Sequence, residues 1–65
     1  MLNQGVVRLL IGKSLSDAIA SLEAFSCKWR VYAIDDIVSE TSPERDDNRY
    51  NLVINNNQVV RVIAG

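Results

Sequence analysis

Alternation of apolar and polar positions is sharpest toward the end of the chain. In Arg49-Tyr50-Asn51-Leu52-Val53-Ile54, Tyr50, Leu52 and Ile54 fall on one side and Arg49, Asn51 and Val53 on the other. That period of two marks a strand, which extends to Asn55. Asn55-Asn56-Asn57 follows, and asparagine tolerates positive φ better than other residues with a Cβ, so a tight turn is predicted. Gln58-Val59-Val60-Arg61-Val62-Ile63 is the returning strand of an antiparallel hairpin. Upstream, Trp29-Arg30-Val31-Tyr32-Ala33-Ile34 is rich in aromatic and β-branched residues and reads as another strand. On it Trp29, Val31 and Ala33 share one face, and Arg30, Tyr32 and Ile34 the other.

The period changes between Ser14 and Phe25. Leu15, Ala18, Ile19, Leu22 and Phe25 are spaced as one face of a helix running from about Leu15 to Ala24 or Phe25. Ser14 is placed to cap the amide of Asp17, with Asp17 reaching back as the acidic half of a capping box. Residues Met1 to Gln4 read as frayed or extended. The dense run Val6–Ile11 is compatible with a first strand or a short helical turn, and Gly12-Lys13 breaks it. The expected fold is therefore α+β: a single helix packed on a small mixed three-stranded sheet. Its first two strands are joined by a long connection and pair in parallel.

That connection, Asp35 to Asn48, is polar and has no periodicity. A compact domain rarely keeps so long a link between strands unless the link has a task. Charge sharpens the point. From Asp35 to Arg49 six acids (Asp35, Asp36, Glu40, Glu44, Asp46, Asp47) face two arginines, a balance of −4. The remainder (Arg8, Lys13, Lys28, Arg30, Arg61 against Asp17, Glu23) carries +3. An acidic loop argues against nucleic acid as partner and would be drawn to a basic protein surface; the plainer reading is a soluble loop.

Composition narrows the chemistry. The chain has 65 residues and no histidine, so a Ser-His-Asp or Cys-His catalytic site cannot be assembled, and no base–nucleophile pair is evident. Neither enzymatic activity nor a cofactor is expected. The one cysteine, Cys27, excludes an internal disulfide and reads as a small core or edge residue. Asp35-Asp36 and Asp46-Asp47 do not follow the spacing of a calcium loop, and no metal site is expected. Trp29 and Tyr32 read as packing residues, and Ser42-Pro43 as turn formers. The opening MLNQGVVRLLI is too short for a membrane span and lacks the basic start and cleavage site of a signal peptide. A chain that begins at Met1 is thus expected in the cytoplasm, and secretion would need a leader. A chain of this size buries only about 60% of its unfolded surface, so a partner or a homodimer through a free sheet edge is a natural supplement.

The pieces in order are Leu10–Ala18, Trp29–Tyr32, Ile37–Thr41, Asn48–Ile54 and Val59–Gly65. Together they resemble the potato inhibitor I superfamily, especially its peptidase inhibitor I78 branch, over about residues 9 to 65. The resemblance implies a single inhibitor-like domain over residues 1–65. It also implies a non-enzymatic serine protease inhibitor whose exposed loop, about residues 38–46, enters the protease like a substrate and is cut very slowly. The implied binding loop is Val38, Ser39, Glu40, Thr41, Ser42 and Pro43. Ser39 matches the residue before the scissile bond, Glu40 the residue that sets specificity, and Thr41 the family's acidic residue after the bond. Arg49 and Asn51 match residues that support the loop from beneath. Two departures stand out. Thr41 offers a hydroxyl where the family has a carboxylate, a weaker acceptor for an arginine. The segment from Ser39 to Arg49 is also longer than usual, which raises the entropy lost on docking. The alternative is a non-inhibitory binding or regulatory module that uses the same scaffold and its acidic loop.

Overall fold

The computed structural model describes residues 1–39 and 46–65. It is an α+β structure with two helices, α1 (Gln4–Leu10) and α2 (Leu15–Ala24), and four strands: β1 (Lys28–Ile34), β2 (Ile37–Val38), β3 (Arg49–Asn55) and β4 (Gln58–Ala64). The sheet order is β2-β1-β3-β4. β3 pairs in parallel with β1 and antiparallel with β4, as the patterns predict.

Two expectations are corrected. The sheet has a fourth strand, and there are two helices instead of one. Val6–Leu10 of the run belong to α1, with Ile11 as its C-cap, because Asn3 supplies what the apolar sequence hides. The Asn3 side chain accepts from the amides of Gly5 (2.8 Å) and Val6 (3.2 Å), so it is an N-cap. The first residues are not frayed. Leu2 is buried, and the Asn3 amide donates to the Tyr50 hydroxyl at 3.0 Å. Gly12, at φ 89°, ends the helix, and its amide turns to the Val59 carbonyl at 2.8 Å. Val59 in turn donates to Lys13 O at 2.8 Å, so the α1–α2 turn closes one end of the β4 edge.

α2 is where its period puts it. Ser14 Oγ accepts from the Asp17 amide at 3.3 Å. Among the described residues no return bond from the Asp17 side chain completes a capping box; Ser16 Oγ is the other neighbour of Ser14 Oγ, at 3.4 Å. At the other end Cys27 N–H bonds Leu22 O (2.9 Å) and Ser26 N–H bonds Glu23 O (3.0 Å). This is a Schellman closure with Ser26, φ 56°, in the left-handed position that glycine usually fills. The closure turns the chain one residue before the helical stripe is complete. Phe25, expected on the buried face, is therefore 53% exposed.

Both helices cover one face of the sheet. Ala18 and Leu22 from α2 and Leu2 and Leu10 from the N-terminal segment and α1 pack on Tyr50, Leu52, Ile54 and Val59. Trp29, Val62 and Cys27 border this cluster. The predicted packing roles of Trp29 and Cys27 agree with that position.

The link after β1 is not one long loop. Asp35 (φ 48°) and Asp36 (φ 68°) form a two-residue turn, and β2 pairs back on β1 with Ile34 opposite Ile37 and Ala33 opposite Val38. Asn56 (φ 51°) and Asn57 (φ 63°) make the same kind of turn between β3 and β4. Positive φ at both central positions is the signature of the hairpin turn whose twist matches the strands. The two turns lie at the same end of the sheet and are tied together. The Asp35 amide donates to Ile54 O (2.8 Å), and the Asn56 amide donates to Asp35 Oδ1 (3.0 Å). Asp35 is thus a structural residue of the sheet end.

Ser26 offers a direct check. A residue with a Cβ in the left-handed region costs about 1–2 kcal/mol relative to glycine, part of which glycine's extra freedom when unfolded returns. Ser26→Gly is expected to raise unfolding free energy by about 0.5–1 kcal/mol in urea titrations. Ser26→Val is expected to lower it by a similar or larger amount.

Candidate functional site

The connection from β2 to β3 leaves and re-enters the sheet at fixed points. At its start, the register of β1 against β3 slips between Val31 and Ala33, leaving Tyr32 as the extra residue. Such a bulge re-aims the groups beside it. The Tyr32 carbonyl accepts from the Ser39 amide at 2.9 Å. Val38 is strand residue rather than loop, yet it is 57% exposed, and Ser39 is exposed. Ile37 beside them is 76% exposed.

At the far end, Asp46 organises the return. Its carboxylate accepts from Lys28 Nζ (2.9 Å) and from the Asn48 amide (2.9 Å), and its carbonyl accepts from the Arg49 amide (3.0 Å). The hydrogen bond from Lys28 comes first among the causes that hold the Asp46 carboxyl below its ordinary pKa; the Asn48 amide and the charges of Lys28 and Arg49 add to it. Burial acts the other way and is outweighed. The Met1 amino group donates to Asn48 Oδ1 at 2.7 Å and adds a further tie.

Between these two anchor points, on the face away from the helices, three polar side chains interlock. Asn51 is 2% exposed, the one buried polar residue among those described. Its Oδ1 accepts from Arg30 Nε (2.8 Å), and its Nδ2 donates to Ile63 O (3.0 Å). Arg30 Nη2 donates to Gly65 O (3.2 Å), and Arg49 donates to the same oxygen from Nε (3.3 Å) and Nη2 (2.8 Å). A buried amide without partners would cost about 1–3 kcal/mol. Here both ends of Asn51 are satisfied, so the polar group orders the face instead of weakening it. Two guanidinium groups meet on the Gly65 oxygen.

Of the sequence-predicted site residues, Val38 and Ser39 lie at the start of the segment, and Arg49 and Asn51 lie on the braced face. Glu40, Thr41, Ser42 and Pro43 lie outside the described residues. Sequence reading missed Arg30, Gly65, Asp46 and Lys28. Arg30 was findable: once β1 and β3 pair in parallel, Arg30 stands opposite Asn51. Asp46 was not, because nothing in the acidic run distinguishes it from Asp47, which is exposed.

Among the described residues no group of three or more histidine, cysteine or acidic side chains is arranged to hold a metal, and no helix is long and apolar enough to cross a membrane. A cleft of about 390 Å³ lies on the helix face, lined by residues that include Leu2, Val7, Asp47, Val62 and Ala64. No family model, curated protein or solved structure matches this chain.

The Asp46 arrangement has a definite pH sign. A carboxyl held low in the folded state contributes stability above its unfolded pKa, and that contribution is lost as pH falls through the folded pKa. The segment's trailing end should therefore stay tied until the solution is more acid than the usual carboxylate range. Carboxyl NMR titration should give Asp46 a midpoint below the ordinary aspartate value. In Lys28→Met the Asp46 midpoint should rise toward the ordinary value. An Asp46 midpoint unmoved by that substitution would mean that the ion pair is not formed in solution.

Proposed function

We propose that this chain is a non-enzymatic inhibitor of serine proteases of the potato inhibitor I type, presenting about residues 38–46 to its target. The observation that carries this reading is the double anchorage of the segment. It starts at Ser39 on the Tyr32 carbonyl, and it ends at Asp46 and Arg49 beside Lys28. A peptide held at both ends by a rigid sheet loses less freedom on docking than a free one, which favours tight binding and slow release after cleavage. The series Ile37–Thr41, Asn48–Ile54 and Val59–Gly65 resembles the family at the same places.

In this reading Glu40 enters the specificity pocket, so the target has a basic pocket. Arg49 and Asn51 support the loop, and Arg30 joins them from the neighbouring strand. Arg30 holds Asn51 in place, and both arginines present donors on the sheet face away from the helices. Thr41 gives these donors a hydroxyl to meet instead of a carboxylate. The second reading, a non-inhibitory module, is favoured by the acidic surface alone: Asp35, Asp36 and Asp47 are all exposed and would attract a basic protein partner.

The two separate in one experiment. A panel of serine proteases that includes glutamate-specific enzymes is titrated with the protein, and residual activity and cleavage position are read. Stoichiometric inhibition with slow cutting after Glu40 is expected. Arg30→Met should weaken inhibition at least about tenfold and speed cutting, since a factor of ten corresponds to about 1.4 kcal/mol, a typical worth for a hydrogen bond to a charged group. Rapid cutting throughout 39–47 with no inhibition would favour the module.

A further inference from the structure

The three residues before α1 are held by the start of β3, 47 positions away in sequence. Two devices aim them there. Asn3 is extended, at φ −79° and ψ 118°, and its side chain accepts from the amides of Gly5 and Val6. Its own amide is left for another acceptor. Leu2 and Val7 stand one residue before this cap and four beyond it, the positions of a hydrophobic staple, which fixes the angle at which a chain enters its helix. Leu2 is buried, and Val7 packs against the cluster that contains it. So aimed, the Asn3 amide meets the Tyr50 hydroxyl at 3.0 Å, and the Met1 amino group meets Asn48 Oδ1 at 2.7 Å.

Those two acceptors bracket Arg49, where β3 begins. Asn48 also donates its amide to the Asp46 carboxylate (2.9 Å), and Arg49 donates its amide to the Asp46 carbonyl (3.0 Å). Asn48 therefore carries both ties, its side chain to residue 1 and its backbone to Asp46. Asp47, between them, lines the same cleft as Met1, Leu2 and Val7. Lys28 holds Asp46 from β1, and residues 1–3 hold the turn that follows it from the start of α1.

We infer that residues 1–3 are a strap that positions the trailing end of the 39–46 segment, with Leu2, Asn3 and Tyr50 as positioning residues. Leu2 and Tyr50 are fixed in the core, and Asn3 joins the start of α1 to the start of β3. Loosening the strap frees Asn48 and Arg49 first, and with them both backbone bonds to Asp46. A trailing end that stays in place after cutting is slow to leave a protease, so the strap's effect on inhibition rests on the reading proposed above. Its effect on residues 46–49 does not.

The test is residue-resolved amide exchange of the full chain and of Tyr50→Phe, which keeps the ring in the core and removes only the hydroxyl. Asn48 and Arg49 are expected to exchange about three- to tenfold faster than in the unsubstituted protein, beyond any change shared by Leu52 and Ile54. Leu2→Gly, which removes the staple, should do the same, and Leu2→Met should restore the original rates. A protease that the unsubstituted protein inhibits should be held less tightly by Tyr50→Phe and should cut it faster. A uniform change at all four amides would mean that the strap adds only global stability, and it would overturn the inference. So would unchanged exchange at Asn48 and Arg49 in folded Tyr50→Phe. If the unsubstituted protein inhibits no protease, the inhibitor reading fails and the exchange comparison still decides the strap. Should Leu2→Gly fail to fold, Tyr50→Phe decides alone.

Discussion

Parallel pairing of β1 with β3 is the constraint from which the rest follows. Two adjacent parallel strands cannot be joined by a tight turn; the chain must travel back along the length of the first before it can begin the second. For seven-residue strands that is about 20 Å of return path. This chain makes the return partly as β2, which hydrogen-bonds to β1, and partly as the segment after Ser39. The ends of the segment are therefore fixed to two points of one sheet by topology. Its ends are set before any side chain in it makes a contact.

That constraint explains where the polar residues went. The helices occupy one face, and their apolar residues meet Tyr50, Leu52 and Ile54. The opposite face has no second layer of helices among the described elements, and it is ordered by Asn51, Arg30 and Arg49 instead. Such a network is stable only when complete, since each unpaired donor or acceptor in a half-buried place costs what a hydrogen bond would have gained. In this structure Arg30 and Asn51 link all three long strands: Arg30 belongs to β1, Asn51 to β3, and the acceptor Ile63 to β4. A side-chain relay across three strands stiffens this face of the sheet.

Much of the fold was legible in the sequence, and the misses have physical causes. α2, β3, the asparagine turn and β4 were visible because each has one strong local signal: a helical stripe with a serine cap, a clean alternation, a run of residues tolerant of positive φ. α1 was ambiguous because Val6–Ile11 is apolar throughout, and its cap, Asn3, precedes the run by enough residues to be overlooked. β2 was hidden because Asp35-Asp36 is an unusual pair for a tight hairpin, and two residues of strand carry no period. Phe25 misled because the Schellman closure at Ser26 breaks the stripe that the spacing extends. The braced face was half legible. Arg49 and Asn51 were named by resemblance, whereas Arg30 becomes visible only when strand register sets it opposite Asn51.

Everything above depends on both ends of the segment being held by the sheet in solution. Residue-resolved amide exchange reads this directly at Ser39, bonded to Tyr32 O, and at Arg49, bonded to Asp46 O. Both amides should exchange far more slowly than an unstructured chain, and Ser39 should lose its protection when Arg30→Met loosens the sheet. Exchange of Ser39 and Arg49 at the rate of a free peptide, while Leu52 and Ile54 remain protected, would contradict it.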